Sequence, residues 1–255
     1  MNHKQWIAWQ MSINGFMSCM FSWPGFKTDY MSIDLMHCGD LGVVLYTIGS
    51  AIWERFHIMR GLMTRPMETL TDILRYIRVA TKNIAEKRPP INTLTIGMLS
   101  GSKGKQARPR IKLKAAEARH TLACVSWLLQ NLWAPTSPYE QLVMQCVRAL
   151  NGFYENINLW HDGDMAAKSE CIKCGNRFLQ LYGELAAANT DTLLWKWFPK
   201  FHMFQHLLES QIAVAGNPKS SWCYFDEHNI GIAAKLAASC HPSTLHRLVL
   251  TKARL

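Results

Sequence analysis

The segment LVMQCVRALNGFYENI, residues 142–157, decides the fold class, because Leu142, Val143, Cys146, Val147, Leu150, Phe153, Tyr154 and Ile157 recur at steps of three and four. That spacing is the α-helical period, and it lays these side chains along one stripe that must pack against a core. The same spacing returns on both sides. Upstream, Arg65-Pro66 opens a run in which Met67, Leu70, Ile73, Leu74 and Ile77 repeat before Pro89-Pro90 stops it. Proline suits the first helical position, where its missing N–H costs nothing. Residues 41–59 predict a buried helix that surfaces around Glu54 and Arg55, and residues 115–133 a further helix ending before Pro135. Downstream, residues 162–188 predict a helix, residues 195–199 an aromatic hinge and the stretch holding His202 and His206 another helix. A turn is expected at residues 215–218, then a short aromatic segment at 221–225, a helix over 227–238 and a last short one over 242–250. Only Asn92 to Leu99, NTLTIGML, reads as a strand. The expected class is therefore mainly α, of the α+β type, with few short strands.

Composition sets the outer limits. A chain of 255 residues, 49% hydrophobic and 18% charged, buries a sizeable core and is not a disordered protein. The ten Trp and thirteen Met belong mostly to that core or to interfaces. Eight cysteines without a secretory leader before them suggest a reducing, intracellular setting. The longest uncharged apolar segment, Leu41 to Trp53, is too short for a bilayer, so no transmembrane helix and no membrane partner are expected. Net charge is +10, which favours a polyanionic partner such as DNA. Part of the excess is concentrated in GSKGKQARPRIKLK, residues 101–114, where Lys103, Lys105, Arg108, Arg110, Lys112 and Lys114 stand without an acid among them. Glycine and proline there predict a basic loop or linker over 100–114, suited to phosphate contacts or simply solvated.

Two remote pairs carry metal-type chemistry. Asp34 and His37 are three residues apart and His202 and His206 four apart, so each pair sits on one helical face where two ligands can converge. Together they predict a four-ligand site of nitrogen and oxygen donors, with the acidic pair Asp226-Glu227 about twenty residues beyond. Histidines on an amphipathic helix also serve as half-buried, backbone-bonded residues. Cys171 and Cys174 have the spacing of half a zinc site but lack a second half, so two small core residues on one helix face are the better expectation.

Four segments in order, IDLMHCGDLGV (33–43), KLKAAEARHTLACVSWLL (112–129), FPKFHMFQHLLE (198–209) and GNPKSSWCYFDEHNIG (216–231), resemble the C-terminal half of CACTA-type (En/Spm-like) eukaryotic DNA transposases. The resemblance spans roughly residues 20–240. It implies a partial RNase H-like core interrupted by a helical insertion, here residues 115–213, within one partial domain over 1–255. It also implies a C/D-x2-H motif at Asp34 and His37, an H-x3-5-H motif at His202 and His206, and a catalytic glutamate at Glu227, with Asp34 and Asp226 as further acids. Catalysis of that kind uses carboxylates holding two Mg2+ or Mn2+ ions across the scissile phosphate. The histidines suit structural zinc better.

In that family two catalytic aspartates precede the D-x2-H motif, whereas Asp29 is the sole acid before Asp34 here. The expectation is a truncated or domesticated, nuclear, DNA-binding protein without complete D-D-E chemistry, with a homo-oligomer or partner chain as the source of missing carboxylates. Two other readings follow from the same residues: a non-enzymatic helical DNA- or RNA-binding or protein-interaction module using the basic run and aromatics at Trp195 and Trp197, and a zinc-dependent hydrolase using the histidine pair with Glu209 or Glu227. The last lacks the H-E-x-x-H order that sets a general base beside its ligands.

Overall fold

The apolar stripe at residues 142–157 is one side of a helical hairpin. The structure, a computed structural model, describes residues 32–60, 66–84, 91–99, 109–161 and 163–238. Among them every regular element is helical and there is no strand. A wide-turned π segment, Met36–Val44, runs into α1 (Leu45–Arg60). Then come α2 (Pro66–Asn83), a single turn at Ile96–Leu99, α3 (Ala115–Asn131), α4 (Pro138–Leu159) and α5 (Met165–Ala188). α6 (Pro199–His206) passes through a second π turn, Leu207–Gln211, and α7 (Tyr224–Ala238) is the last described element. No described helix is long and apolar enough to cross a membrane. The helix expected over 242–250 lies outside the described residues.

Local signals explain most boundaries. Pro66, Pro138 and Pro199 each stand at the start of a helix. Ser137 caps α4 by accepting from the Glu140 N–H at 3.2 Å. α5 begins a little later than expected because Asp164 is its cap, accepting from the N–H groups of Ala166 and Ala167 at 3.0 and 2.9 Å.

α4 and α5 form the most extensive helix pair, and the described residues from Asp34 onward belong to one compact unit. Val143, Cys146, Val147, Leu150, Phe153 and Ile157 are buried on α4, facing Cys171, Phe178, Leu181, Tyr182 and Leu185 of α5. α6 closes the cluster: Phe204 meets Phe153 edge-on at 4.9 Å, and Phe201 lies 4.2 Å from Tyr182. Cys171 is buried in this core, and burial pushes its thiol up to about 12, which suits a packing residue rather than a metal ligand.

The strand expected at Asn92 to Leu99 is a correction. Residues 91–95 form no regular element, and Thr95 instead starts the turn that follows, its Oγ1 and backbone oxygen both accepting from the Met98 N–H. Residues 109–114, without regular secondary structure, run past that turn. Arg110 N–H donates to Leu99 O at 3.2 Å, Lys112 N–H to Met98 O at 2.9 Å, and Ile111 N–H to Leu45 O at 3.2 Å. Pairing is thus with helical carbonyls, not with a ladder.

This run lies hard against α1 at Gly49. A Cβ there would stand 2.9 Å from the Ile111 nitrogen and 3.1 Å from the Arg110 Cα, both backbone atoms that cannot rotate away. Gly49→Ala should therefore destabilise the fold by about 1–3 kcal/mol, read as a lower urea midpoint. A second constraint is Glu54, half-buried and accepting from the Tyr139 hydroxyl and from Trp195 Nε1 at 2.8 Å. Burial raises its pKa despite both donors. A raised carboxyl favours the protonated fold, so this contribution is full at acid pH and is lost as pH rises through the folded value. Glu54→Gln keeps the acceptor and removes the charge; it should flatten that decline in urea midpoints measured from acid to neutral pH.

Candidate metal centre

Asp34 opens the π segment as a helix-capping carboxylate. Its Oδ1 accepts from the Met36 N–H at 3.0 Å and its Oδ2 from the His37 N–H at 3.1 Å. The same turn brings the His37 ring over the carboxylate, with Nδ1 against Oδ2. The third member comes from the far side of the sequence. The Cys223 N–H donates to Asp34 Oδ1 at 3.1 Å, its thiol donates to Oδ2 at 2.7 Å, and Sγ lies 3.5 Å from His37 Nδ1. One carboxylate oxygen, one ring nitrogen and one sulfur thus converge, all within 4.8 Å of one another. Burial alone would raise the Asp34 carboxyl, but hydrogen bonds from Cys223, His37 and the Met36 N–H hold it below the ordinary aspartate value.

The donor atoms of this trio could hold a cation. A catalytic triad needs its histidine between nucleophile and acid, one on each ring nitrogen. Here thiol and carboxylate both address Nδ1, so His37 cannot relay a proton between them. A thiolate, an imidazole and a carboxylate are instead a donor set suited to zinc, while magnesium prefers oxygen alone.

The expected four-residue set is redistributed. His202 and His206 do pair, their Nε2 atoms 3.0 Å apart on the exposed side of α6. They lie outside the Asp34–His37–Cys223 group, because their i, i+4 spacing turns each ring on the other while Cys223 takes the third place. α6 is nonetheless tied to the π segment. Lys200 Nζ donates to His37 O at 2.8 Å and to Leu41 O at 3.0 Å, satisfying carbonyls that the wide turns leave open. Gly42, at φ −121° and ψ −107°, breaks the helical path there; a Cβ on it would stand 2.8 Å from the Lys200 side chain.

Other expected site residues fare differently. Asp226 and Glu227 fall on α7, and their side chains lie outside the described residues, as do Lys103, Lys105 and Arg108. Lys112 and Lys114 are exposed. Arg110 turns inward instead, 3.5 Å from Leu41 O and 5.8 Å from the Tyr46 ring centre. Trp197 is 50% exposed, but Trp195 is 1% exposed and unavailable for stacking, a correction caused by its bonds to Glu54 and to Ser50 Oγ. Glu209 accepts from Gln205 at 2.7 Å on the exposed side of the α6 region. Cys223 is the residue that sequence reasoning missed; its signals were its place just before Asp226-Glu227 and its C-x4-H spacing to His228.

No family model matches the chain, and no curated protein or solved structure does either.

The depressed Asp34 carboxyl carries a sign. Its contribution to stability is full above the ordinary aspartate pKa and disappears as pH falls through the lower folded value. Asp34→Asn should flatten the acid limb of urea-unfolding stability below about pH 4 and leave the slope near neutrality unchanged.

Proposed function

We propose that the chain is a transposase-derived, DNA-binding helical protein whose sequence-remote segments are clamped by one zinc ion at Asp34, His37 and Cys223, acting in the nucleus without complete D-D-E chemistry. The observation that carries this reading is the meeting of two motif segments 189 residues apart: Asp34 bonds both the backbone and the thiol of Cys223. The segment before Glu227 resembles the approach to the final glutamate of CACTA-type transposases, and the segment at Asp34 resembles their D-x2-H motif. In a protein of that descent the two would lie together. The reading takes from the resemblance its motif order and its helical insertion, and does not require the RNase H-like sheet.

The donor set also bears on activity. Both Asp34 oxygens are engaged, Oδ1 by the N–H groups of Met36 and Cys223 and Oδ2 by His37 and the Cys223 thiol. With a thiol and an imidazole as its neighbours, this carboxylate belongs to a donor set poorly suited to the two divalent ions of phosphoryl transfer, which need oxygen-rich sites. DNA contact is assigned to phosphate, from the net charge of +10 and from exposed Lys112 and Lys114 at the end of the basic run.

Three measurements on the purified full chain test this. Elemental analysis after dialysis against zinc should find about one ion per chain, lost in Cys223→Ala. Duplex DNA binding should weaken with salt, and replacing Lys112 and Lys114 by glutamine should lower the log–log salt slope by about two for any sequence. Incubation with Mg2+ or Mn2+ should leave supercoiled plasmid intact. Metal-dependent nicking that Glu227→Gln abolishes would overturn the non-catalytic assignment, and an unchanged salt slope would remove these lysines from the DNA contact.

A further inference from the structure

Cys223 is held from both sides by groups that are not themselves ligands. Trp222 and Tyr224, its chain neighbours, stand edge-on to one another at 5.2 Å and 83°. One guanidinium serves both rings: Arg119 of α3 lies 4.7 Å from the Trp222 centre and 5.4 Å from that of Tyr224. Lys219 adds a second cation 5.7 Å from Trp222. The Tyr224 hydroxyl, in turn, donates to Oδ2 of Asp40, which is 0% exposed and lies on the π segment that carries His37 and begins two residues after Asp34. The residue before Cys223 is therefore pinned to α3, and the residue after it is pinned both to α3 and to the segment that supplies the other two ligand-type atoms.

We infer that Arg119 and Asp40 are positioning residues of the metal centre: they latch residues 222–224 onto the core and so present the Cys223 thiol to Asp34 and His37. This inference rests on the zinc reading above and adds the device that makes the third ligand available. The chemistry suits the residue types. One guanidinium lies within cation–π reach of both rings, with its charge spread over a wider group than a lysine ammonium offers, and a buried carboxylate fixes the direction of a tyrosine hydroxyl. Without the latch, Cys223 would arrive at the end of a free segment, and a metal would have to order that segment each time it bound. Outer groups that orient ligands in this way are worth about 10–100-fold in metal affinity. On binding, the S–metal bond replaces the S–H bond and the thiol proton leaves to solvent.

The test uses the full chain and Co2+ as the probe. Wild type should bind cobalt with a sulfur-to-cobalt absorption band. Arg119→Ala should bind it about 10–100-fold more weakly, with a fainter band at saturation, and Arg119→Lys should fall between the two. In the metal-free protein the Cys223 amide, which donates to Asp34, should exchange its hydrogen faster in Arg119→Ala, together with the first turn of α7 and no other region. Unchanged affinity, band and exchange overturn the latch, as does exchange that quickens uniformly over the chain. If Arg119→Ala does not fold, Tyr224→Phe, which keeps the ring and removes only the donor to Asp40, must show the same local exchange and cobalt loss or the latch falls. Should wild type take up no cobalt, the zinc reading fails by itself, and local exchange at residues 222–230 in Arg119→Ala still decides the latch.

Discussion

The packing of Phe153, Phe178, Tyr182, Phe201 and Phe204 into one cluster is the constraint on which the rest depends. Phe178 sits 5.7 Å from Phe204 and 5.8 Å from Tyr182, and Phe204 lies 4.9 Å from Phe153. Each of these side chains contributes on the order of 2–3 kcal/mol by leaving water. Their geometry fixes α6 against the α4–α5 hairpin. With α6 in place, Lys200 reaches the carbonyls of His37 and Leu41, and the wide-turned segment at residues 36–44 is held in its irregular form.

Polar groups are placed at the rim of that core and each is tied to more than one element. Glu54 on α1 takes the Tyr139 hydroxyl from α4 and the Trp195 indole from the connection before α6, and Asn189 donates to the same tyrosine at 2.8 Å. Trp195 adopts a positive φ of 53°, an unfavourable state for a bulky residue that its N–H bond to Ser50 and its burial hold in place. Asp40 plays a similar part on the other side, joining the π segment to α7 through Tyr224. A carboxylate is costly to desolvate unless bonded, so half-buried Glu54 and buried Asp40 specify which surfaces meet as well as that surfaces meet.

Much of this was legible from residue order. The stripe at 142–157, the proline-marked start at 66 and the small-residue role of Cys171 all follow from near neighbours in the sequence. NTLTIGML misled because threonine and isoleucine favour strands only where a partner offers a ladder, and here Thr95 found a better use capping a turn. Trp195 misled for the opposite reason: an aromatic hinge in the sequence became a core residue once Glu54 on α1 offered its indole an acceptor.

The metal-type cluster divides along the same line. Asp34 and His37 lie within one turn, so their approach was determined by the sequence alone, as was the facing of His202 and His206. Helical periodicity is local and survives whatever surrounds it. That Cys223, and not the histidine pair, completes the group was decided by tertiary structure, because 189 residues separate it from Asp34. Their meeting depends on the aromatic core that seats α6, on Arg119 within cation–π distance of Trp222 and Tyr224, and on a buried aspartate that holds the Tyr224 hydroxyl. None of those distances is a property of sequence spacing; each is set by which surfaces exclude water together.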